Sequence, residues 1–317
     1  MTPRPLASWT DDPKALELLK DAGPFHSDAF RESWVVGYPG WRDVSYGARL
    51  PDGTRAAVAL LVKDRVAESV PFNYAGVVAS RGLGAAETKA FLEEARRRAG
   101  AHRLIARSIP IQPTPQTQHV GARLVGWTSV VRVSRHQDLT AGFAKKARRA
   151  TRKAKRGGGN VVASHDPSGF LRLYALVGDS HWLRYADELI RRLAIRGIGR
   201  SYEVRVDDRV VSAVFALLSA NHWTAWLAAQ DPEGRSLSGN YLAVAELLGD
   251  AQRSGVGAVN LGISEGMPGV AHFKRRFGAV DVPLMEEVIA SRSALFAQFT
   301  AVGRHKLKTF ARRACSQ

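Results

Sequence analysis

The sequence predicts an α/β (α+β) protein of two similarly ordered domains, each a mixed sheet flanked by helices. Two features of the chain lead there. At 317 residues with 45% hydrophobic content, it is long for one core and comfortable for two. Its second half reads as β-β-β-α-β-α-β, and its first half opens in the same kind of order, a hairpin followed by helix and strand, as an old duplication would leave it. This reading divides the chain into residues 1–138 and residues 139–317.

The first domain opens on a hairpin. Residues 44–66, VSYGARLPDGTRAAVALLVKDRV, place two strands around a turn at Asp52 and Gly53. The run AAETKAFLEEARRRAG predicts a helix, with Phe91, Leu92 and Ala95 at helical spacing, Arg96 to Arg98 in the last turn and Gly100 to stop it. RLIARSI and RLVGWTSVVRVS follow as strands, separated by PIQPTPQTQHVGA, which its prolines keep irregular.

Then comes KKARRATRKAKRGGG, residues 145–159, with eight cations and no acid in its first twelve positions. Asp138 or Thr140 can cap it; Phe143, Ala147, Ala150 and Ala154 form one narrow stripe; Gly157 to Gly159 terminate it. A helix over 140–156, docked through small residues, is therefore expected. Like charges at i,i+4 weaken an isolated helix by a few tenths of a kcal/mol per pair, and an anionic partner reverses that sign.

The second domain continues with a short strand, NVVAS, and two helices, PSGFLRLYALVGD and LRYADELIRRLAIRG, the latter turning Leu183, Ala186, Leu189, Ile190 and Leu193 inward. Residues 200–230 read as three strands joined by a turn at Asp207 and Asp208 and a short polar link at Asn221 and His222. A helix (NYLAVAELLGDAQRSG), a strand (GAVNLG), a short helix (GVAHFKRRFG) and a strand (DVPLMEEVIA) complete the order.

Composition narrows the function. A formal charge of +17 repels itself and points to a polyanionic partner: nucleic acid, a nucleotide-linked substrate, coenzyme A or an anionic membrane surface. The single cysteine, Cys315, excludes an internal disulfide and argues against a thiol nucleophile. The nine histidines show no ligand spacing, so no metal is expected. No apolar run approaches the roughly eighteen residues of a membrane span. The first residues lack a basic region followed by an apolar one, so a cytoplasmic protein without a secretion signal is expected.

Four stretches carry a resemblance: VPFNYAGVV at 70–78, the basic helix, SGNYLAVAELLGDAQRSGVGAVNLG at 238–262, and GVAHFKRRFGA at 269–279. Through them the chain resembles the Fem family of peptidyltransferases, which join two GNAT-like (acyl-CoA N-acyltransferase-type) domains. The Phe-Lys-x-x-Phe-Gly block, downstream of a strand ending in Leu-Gly, is the most specific of the four. The resemblance implies amide formation between an amino acid activated as its tRNA ester and an amine of a peptidoglycan precursor or peptidyl natural product. It implies aminoacyl-tRNA as co-substrate, no bound cofactor, and an acceptor side in residues 1–138. Nothing between the domains forms the long helical hairpin of the larger Fem enzymes, so the chain matches the compact members, and a monomer is expected.

An aminoacyl ester is already activated, so the enzyme has to position an amine and stabilise the oxyanion that develops on the carbonyl. The resemblance assigns the second task to Lys274 and the channel wall to Phe273; the alternative is a solvated helix face anchored by Phe273 and Phe277. Glu265, the only acid in GISEGMPG, is the candidate proton acceptor, with Asp231 second. Asn73 and Tyr74, beside Gly76, are expected to border the acceptor site, the glycine allowing a ligand close to the backbone. Trp34, Tyr38 and Trp41 offer stacking surfaces or core packing. Asn240 and Tyr241 open a helix on the substrate side.

For RNA, Lys145, Lys146, Arg148, Arg149, Arg152, Lys153 and Arg156, with Lys155 and with Arg275, offer phosphate contacts that carry no sequence information. The basic tail 303–317 can flank the same path. RSLSGNYL departs from the Q/R-x-x-G-x-G/A loop that cradles a pyrophosphate in acetyl-CoA enzymes, yet Arg235, Ser236, Ser238 and Gly239 can still form an anion nest. An acyl-CoA-dependent N-acyltransferase acting on a sugar amine or small metabolite is therefore the second reading. A non-catalytic nucleic-acid-binding protein is the third.

Overall fold

The computed structural model describes residues 9–70, 74–110, 121–136, 138–177, 180–264 and 266–291; Asn73, Glu265, Cys315 and the tail 303–317 lie outside the described residues. In chain order the strands are β1 (Thr10–Asp11), β2 (Arg42–Asp43), β3 (Tyr46–Arg49), β4 (Arg55–Val58), β5 (Leu61–Lys63), β6 (Val66–Glu68), β7 (Val78–Ala79), β8 (Arg103–Ser108), β9 (Arg123–Arg132), β10 (Asn160–Ser164), β11 (Gly199–Val206), β12 (Arg209–Leu217), β13 (His222–Gln230), β14 (Ala258–Ile263) and β15 (Val280–Ala290). The α-helices are α1 (Asp28–Gly37), α2 (Ala85–Arg98), α3 (Lys145–Arg156), α4 (Ser168–Val177), α5 (Ser180–Ile195), α6 (Pro232–Leu237), α7 (Gly239–Ser254) and α8 (Pro268–Arg275).

The first hairpin forms as expected. β3 and β4 pair antiparallel around Asp52 and Gly53; the Asp52 carboxylate accepts the Thr54 N–H at 2.8 Å, and Gly53 takes a φ of +86°. Its second strand does not run on to residue 66. The chain from Ala56 to Val62 is buried throughout, so no solvent face holds it to one sheet. It leaves β4, passes through Ala59 and Leu60, and joins the other sheet as β5, turning at Asp64 and Arg65 into β6.

Among the described residues a small sheet has the order β1-β3-β4-β7, and a large one β10-β11-β12-β13-β14-β9-β15-β8-β6-β5-β2. The mixed sheets of the two halves are thus joined into one. β15, last in the chain, lies between β9 and β8 of the first half and is antiparallel to both, while β9 pairs with β14 of the second. Helices cover the faces. α1 packs on α5, with Gly37 so close to Leu189 that a Cβ would stand 3.1 Å from its Cβ. Ala186, Leu189, Ile190 and Leu193 of α5 are buried, as their spacing predicts.

The basic segment is helical but starts later than residue 140. Asp138 caps a separate 3-10 turn, Leu139–Gly142, by accepting the Thr140 N–H at 2.9 Å, and α3 begins at Lys145 behind Ala144, which offers no side-chain cap. Ala147 and Ala154 are fully buried beneath α3, and its contacts are with α7 and α6. Small residues on that stripe let the helix sit close while its long side chains remain in solvent. His222, read as part of a polar link, is instead the buried first residue of β13.

Candidate active site

The site follows from a fork in the large sheet. β13 and β14 are parallel neighbours over three pairs, from His222 with Ala258 to Thr224 with Asn260. Beyond them β13 continues along β12 and β14 along β9. A cavity of about 490 Å³ opens between the diverging strands. Trp226 and Leu227 of β13, Leu261, Gly262 and Ile263 of β14, Asn240 and Tyr241 of α7, and Phe273 and Lys274 of α8 line it.

Lys274 is the buried charge of this cavity, 6% exposed. α8 starts on Pro268, whose missing N–H is no loss at a first helical position, and its last turn delivers Lys274 to the fork. Its Nζ donates to the carbonyls of Gly262 at 2.8 Å and Ile263 at 2.9 Å. Burial pushes its pKa down to about 8, partly opposed by the negative charge of Asp281. An ammonium with two hydrogens on carbonyls keeps a third for a developing oxyanion.

The neighbouring wall is aromatic. Phe273 meets Tyr241 edge-on with ring centroids 4.7 Å apart, and Arg276 donates to the Tyr241 hydroxyl. Asn240 Oδ1 accepts the Ser212 hydroxyl at 2.6 Å, which fixes its amide at the cavity. Behind it α7 begins without a side-chain cap, at a Ser238 of φ 65° and a Gly239 whose added Cβ would come within 2.6 Å of Ser212. Among the described lining residues the charged ones are Arg235 and Lys274, both positive.

The basic helix runs beside this cavity. At its start the Ala144 N–H donates to Arg276 O at 2.8 Å; near its end Lys153 Nζ donates to Ser236 O at 2.6 Å, one residue from Arg235 and two from Ser238. Lys145, Lys146, Arg148, Arg149, Arg152, Lys153, Lys155 and Arg156 are all exposed, and among the described residues none of them has an acidic partner. Arg275 is exposed at the α8 end next to the start of α3. A groove of about 540 Å³ between α3 and α7 is lined by Arg148, Arg152 and Lys155 and also by Asp138 and Glu246.

Several expected site residues lie elsewhere. Tyr74 is buried at the base of the fork, 3.0 Å from Thr224 Oγ1 and 2.6 Å from Asn260 Nδ2, and burial pushes its pKa up to about 12. Gly76 packs against Ser108, where a Cβ would stand 2.7 Å from that of the serine, and with Tyr74 it lines a separate cavity of about 50 Å³ beside His26 and His222. Trp34 is 1% exposed and stacks on Tyr38 at 4.5 Å, because α1 turns this face to the core against α5; neither ring reaches the cavity, and Trp41 packs edge-on to Trp34. Asp231 caps α6 through the Gly234 N–H at 2.7 Å, pairs with Arg209 and does not line the cavity. The sequence reading missed Trp226, Gln230 and Asn260; only the last left a signal, an asparagine inside the apolar strand GAVNLG.

Residues 141–275 match the family model of the acetyltransferase (GNAT) domain. Among solved structures, FemX superposes with a TM-score of 0.62 at 10% identity, over 92% of this chain and 99% of its own. The C-terminal domain of a putative lysylphosphatidylglycerol synthetase from Agrobacterium fabrum follows at 0.54 and 13%, covering 91% of this chain and 96% of its own. A tandem GNAT protein from the clavulanic acid biosynthesis pathway gives 0.51 and 13%, over 87% of this chain and 93% of its own. No curated protein matches the sequence significantly. Residues 141–275 are therefore a GNAT-type acyltransferase domain, in a chain whose fold as a whole is the Fem-like fold of FemX.

Proposed function

We propose that this acyltransferase moves an aminoacyl group from its tRNA ester to an amine of a peptidoglycan precursor or peptidyl natural product, forming an amide. The observation that carries this reading is α3: eight exposed cations, unpaired with acids among the described residues, beside a cavity that holds a buried lysine. A surface of that kind gains free energy by neutralising phosphates and releasing the counterions condensed on a nucleic acid. The RNA backbone lies along Lys145, Lys146, Arg148, Arg149, Arg152, Lys153 and Arg156, with Arg275 at one end, and the acylated 3′ end enters the fork.

The amine attacks the ester carbonyl, and Lys274 donates to the oxygen as it becomes negative. The C–O bond to the ribose then breaks; the amine gives up a proton, for which Glu265 is the proposed acceptor, and the ribose oxygen takes one. Phe273, Tyr241 and Asn240 orient the acyl group. With apolar walls and the positive Arg235 and Lys274 on its lining, the cavity favours a neutral acyl side chain over a cationic one. The protein is proposed to act as a cytoplasmic monomer without a bound cofactor; no described helix is long and apolar enough to cross a membrane.

Incubation with charged tRNA mixtures and candidate amines, read by mass spectrometry, tests the donor. Amide formation abolished by prior RNase treatment supports it, and amide formation that survives the treatment removes tRNA from the reaction. One observation favours a second reading. The uncapped α7 start, with Arg235 and Ser238 on the cavity, offers backbone N–H groups to a pyrophosphate, as acyl-CoA would require. Tight binding of CoA in calorimetry, indifferent to tRNA, selects that reading.

A further inference from the structure

The fork that shapes the cavity is held by a buried polar chain that the reaction outlined above does not use. Thr224 and Asn260 are the last paired residues of β13 and β14 before the strands part. The Tyr74 hydroxyl, from the first half of the chain, bonds to both, at 3.0 Å and 2.6 Å. Asn260 uses its other end as well: Oδ1 accepts the Thr128 hydroxyl of β9 at 2.6 Å and the Gly262 N–H at 2.8 Å. Thr128 and Asn260 are fully buried, Thr224 nearly so, and Tyr74 6% exposed.

The Gly262 bond gives this chain its consequence. Between Asn260 and Ile263 the β14–β9 pairing skips register, and Gly262 takes a φ of +84°. An added Cβ would meet only ordinary contacts, so the glycine is there for its backbone conformation. This bulge turns two successive carbonyls, of Gly262 and Ile263, toward the same ammonium. An asparagine that binds the bulge N–H from inside the sheet fixes the direction of those carbonyls.

We propose that Asn260, pinned by Tyr74, is a positioning residue: it holds the bulge that aims two carbonyls at Lys274 and so sets where the lysine's remaining hydrogen points in the cavity. The inference rests on the oxyanion role given to Lys274, but its test needs neither donor nor acceptor. Among the described residues, the charged or titratable groups that face the site besides Asp281 of β15 are Arg235 of α6 and Tyr241 of α7; Glu265 lies outside them. None of these is changed by the variants below.

The test is an NMR titration of the Lys274 side chain in protein carrying 13C-labelled lysine, assigned by its loss in Lys274→Ala. In Asn260→Ala the freed bulge lets the ammonium leave its carbonyls for water, and the midpoint moves toward that of an ordinary lysine by about half a pH unit or more. Tyr74→Phe, which deletes one oxygen from a packed ring, moves it in the same direction by less and carries the test if Asn260→Ala does not fold. Tyr202→Phe, which removes a bond to Asp250 elsewhere in the core, is the control for general loosening. Midpoints unmoved in both Asn260→Ala and Tyr74→Phe, or moved equally by Tyr202→Phe, overturn the proposal. If the titration shifts as described while charged tRNA yields no amide, the donor reading fails and the positioning role stands.

Discussion

Helices α2 and α3 are both rich in cations, and they use them in opposite ways. α2 has Glu87 in its first turn, where the carboxylate accepts the Gly84 N–H at 2.9 Å, and Arg96, Arg97 and Arg98 in its last. Both placements suit the helix dipole. Its arginines are also answered within the protein: Glu94 takes Arg97 and Arg98, and Asp11 takes Arg98. α3 begins with Lys145 and Lys146 at the end where the dipole is already positive, has no side-chain cap, and among the described residues forms no salt bridge, although Asp138 lies near Arg148. The charge of α2 is answered within the fold, whereas that of α3 suits the dipole only in the last turn, at Lys153, Lys155 and Arg156, and is otherwise left to solvent.

Substitutions in the two helices separate these roles. Replacing Arg149, Arg152, Lys153 and Arg156 together by Gln lowers tRNA affinity on the order of 10²–10³-fold near physiological salt and flattens the logarithmic salt slope by about 3–4, measured by filter binding across a salt series. The same exchange at Arg97 and Arg98 of α2 leaves both quantities unchanged. A loss from α2 as large as that from α3 would show that net charge alone attracts the RNA, and the contrast between the helices would be gone.

Lys274→Ala sharpens the contrast by separating docking from chemistry. Single-turnover transfer falls by about 10²–10³-fold, the usual cost of one oxyanion donor, while tRNA affinity stays at the wild-type value. An unaltered rate would instead take Lys274 out of the chemistry, and no transfer by the unsubstituted protein would make the molecule a nucleic-acid-binding protein without catalysis. The pH dependence follows from the same group. In the proposed reaction Lys274 acts in its charged form, and burial lowers its pKa to about 8, so the competent state is full below that pH and is lost above it. Transfer therefore declines above about pH 8, approaching tenfold per unit, and Lys274→Arg, which stays charged, removes that falling limb.

The smallest effects concern stability. Ala154 is fully buried under α3, so Ala154→Leu overpacks the docking stripe and costs about 1–3 kcal/mol in thermal or urea unfolding. Glu94→Gln removes the acid from its pairs on α2 and costs less than about 1 kcal/mol, because exposed ion pairs contribute little. The reverse order would mean that α2 depends on its charges more than α3 depends on its seat.

The site was legible in the sequence only in part. Lys274 and Phe273 stood in a contiguous block with two phenylalanines four apart, and the structure places both on one cavity. Asn240 and Tyr241, at a helix start, were legible for the same reason, since a local pattern fixes what a helix terminus presents. Trp34, Tyr38, Tyr74 and Gly76 were singled out for their chemistry, but an aromatic ring or a glycine suits a core as well as a pocket: the α1–α5 packing buries Trp34 and half-buries Tyr38, while Tyr74 and Gly76 line a small cavity apart from Lys274. Asn260 was passed over because its partners are remote: Thr128 is 132 residues away and Tyr74 186.

By itself the sequence determined the local elements: the hairpin at Asp52 and Gly53, the periodic faces of α2, α5 and α7, and a helix of eight unopposed cations seated on alanines. These depend on neighbours within a turn or two, where spacing and charge are sufficient physics. Tertiary structure alone decided that β15 lies between β9 and β8, that β13 and β14 part after three pairs, and that a lysine from α8 is buried against the carbonyls exposed by that parting. Each of these is a contact between segments far apart in the chain, selected by which strand edges and apolar faces remain to be covered once the local elements have formed.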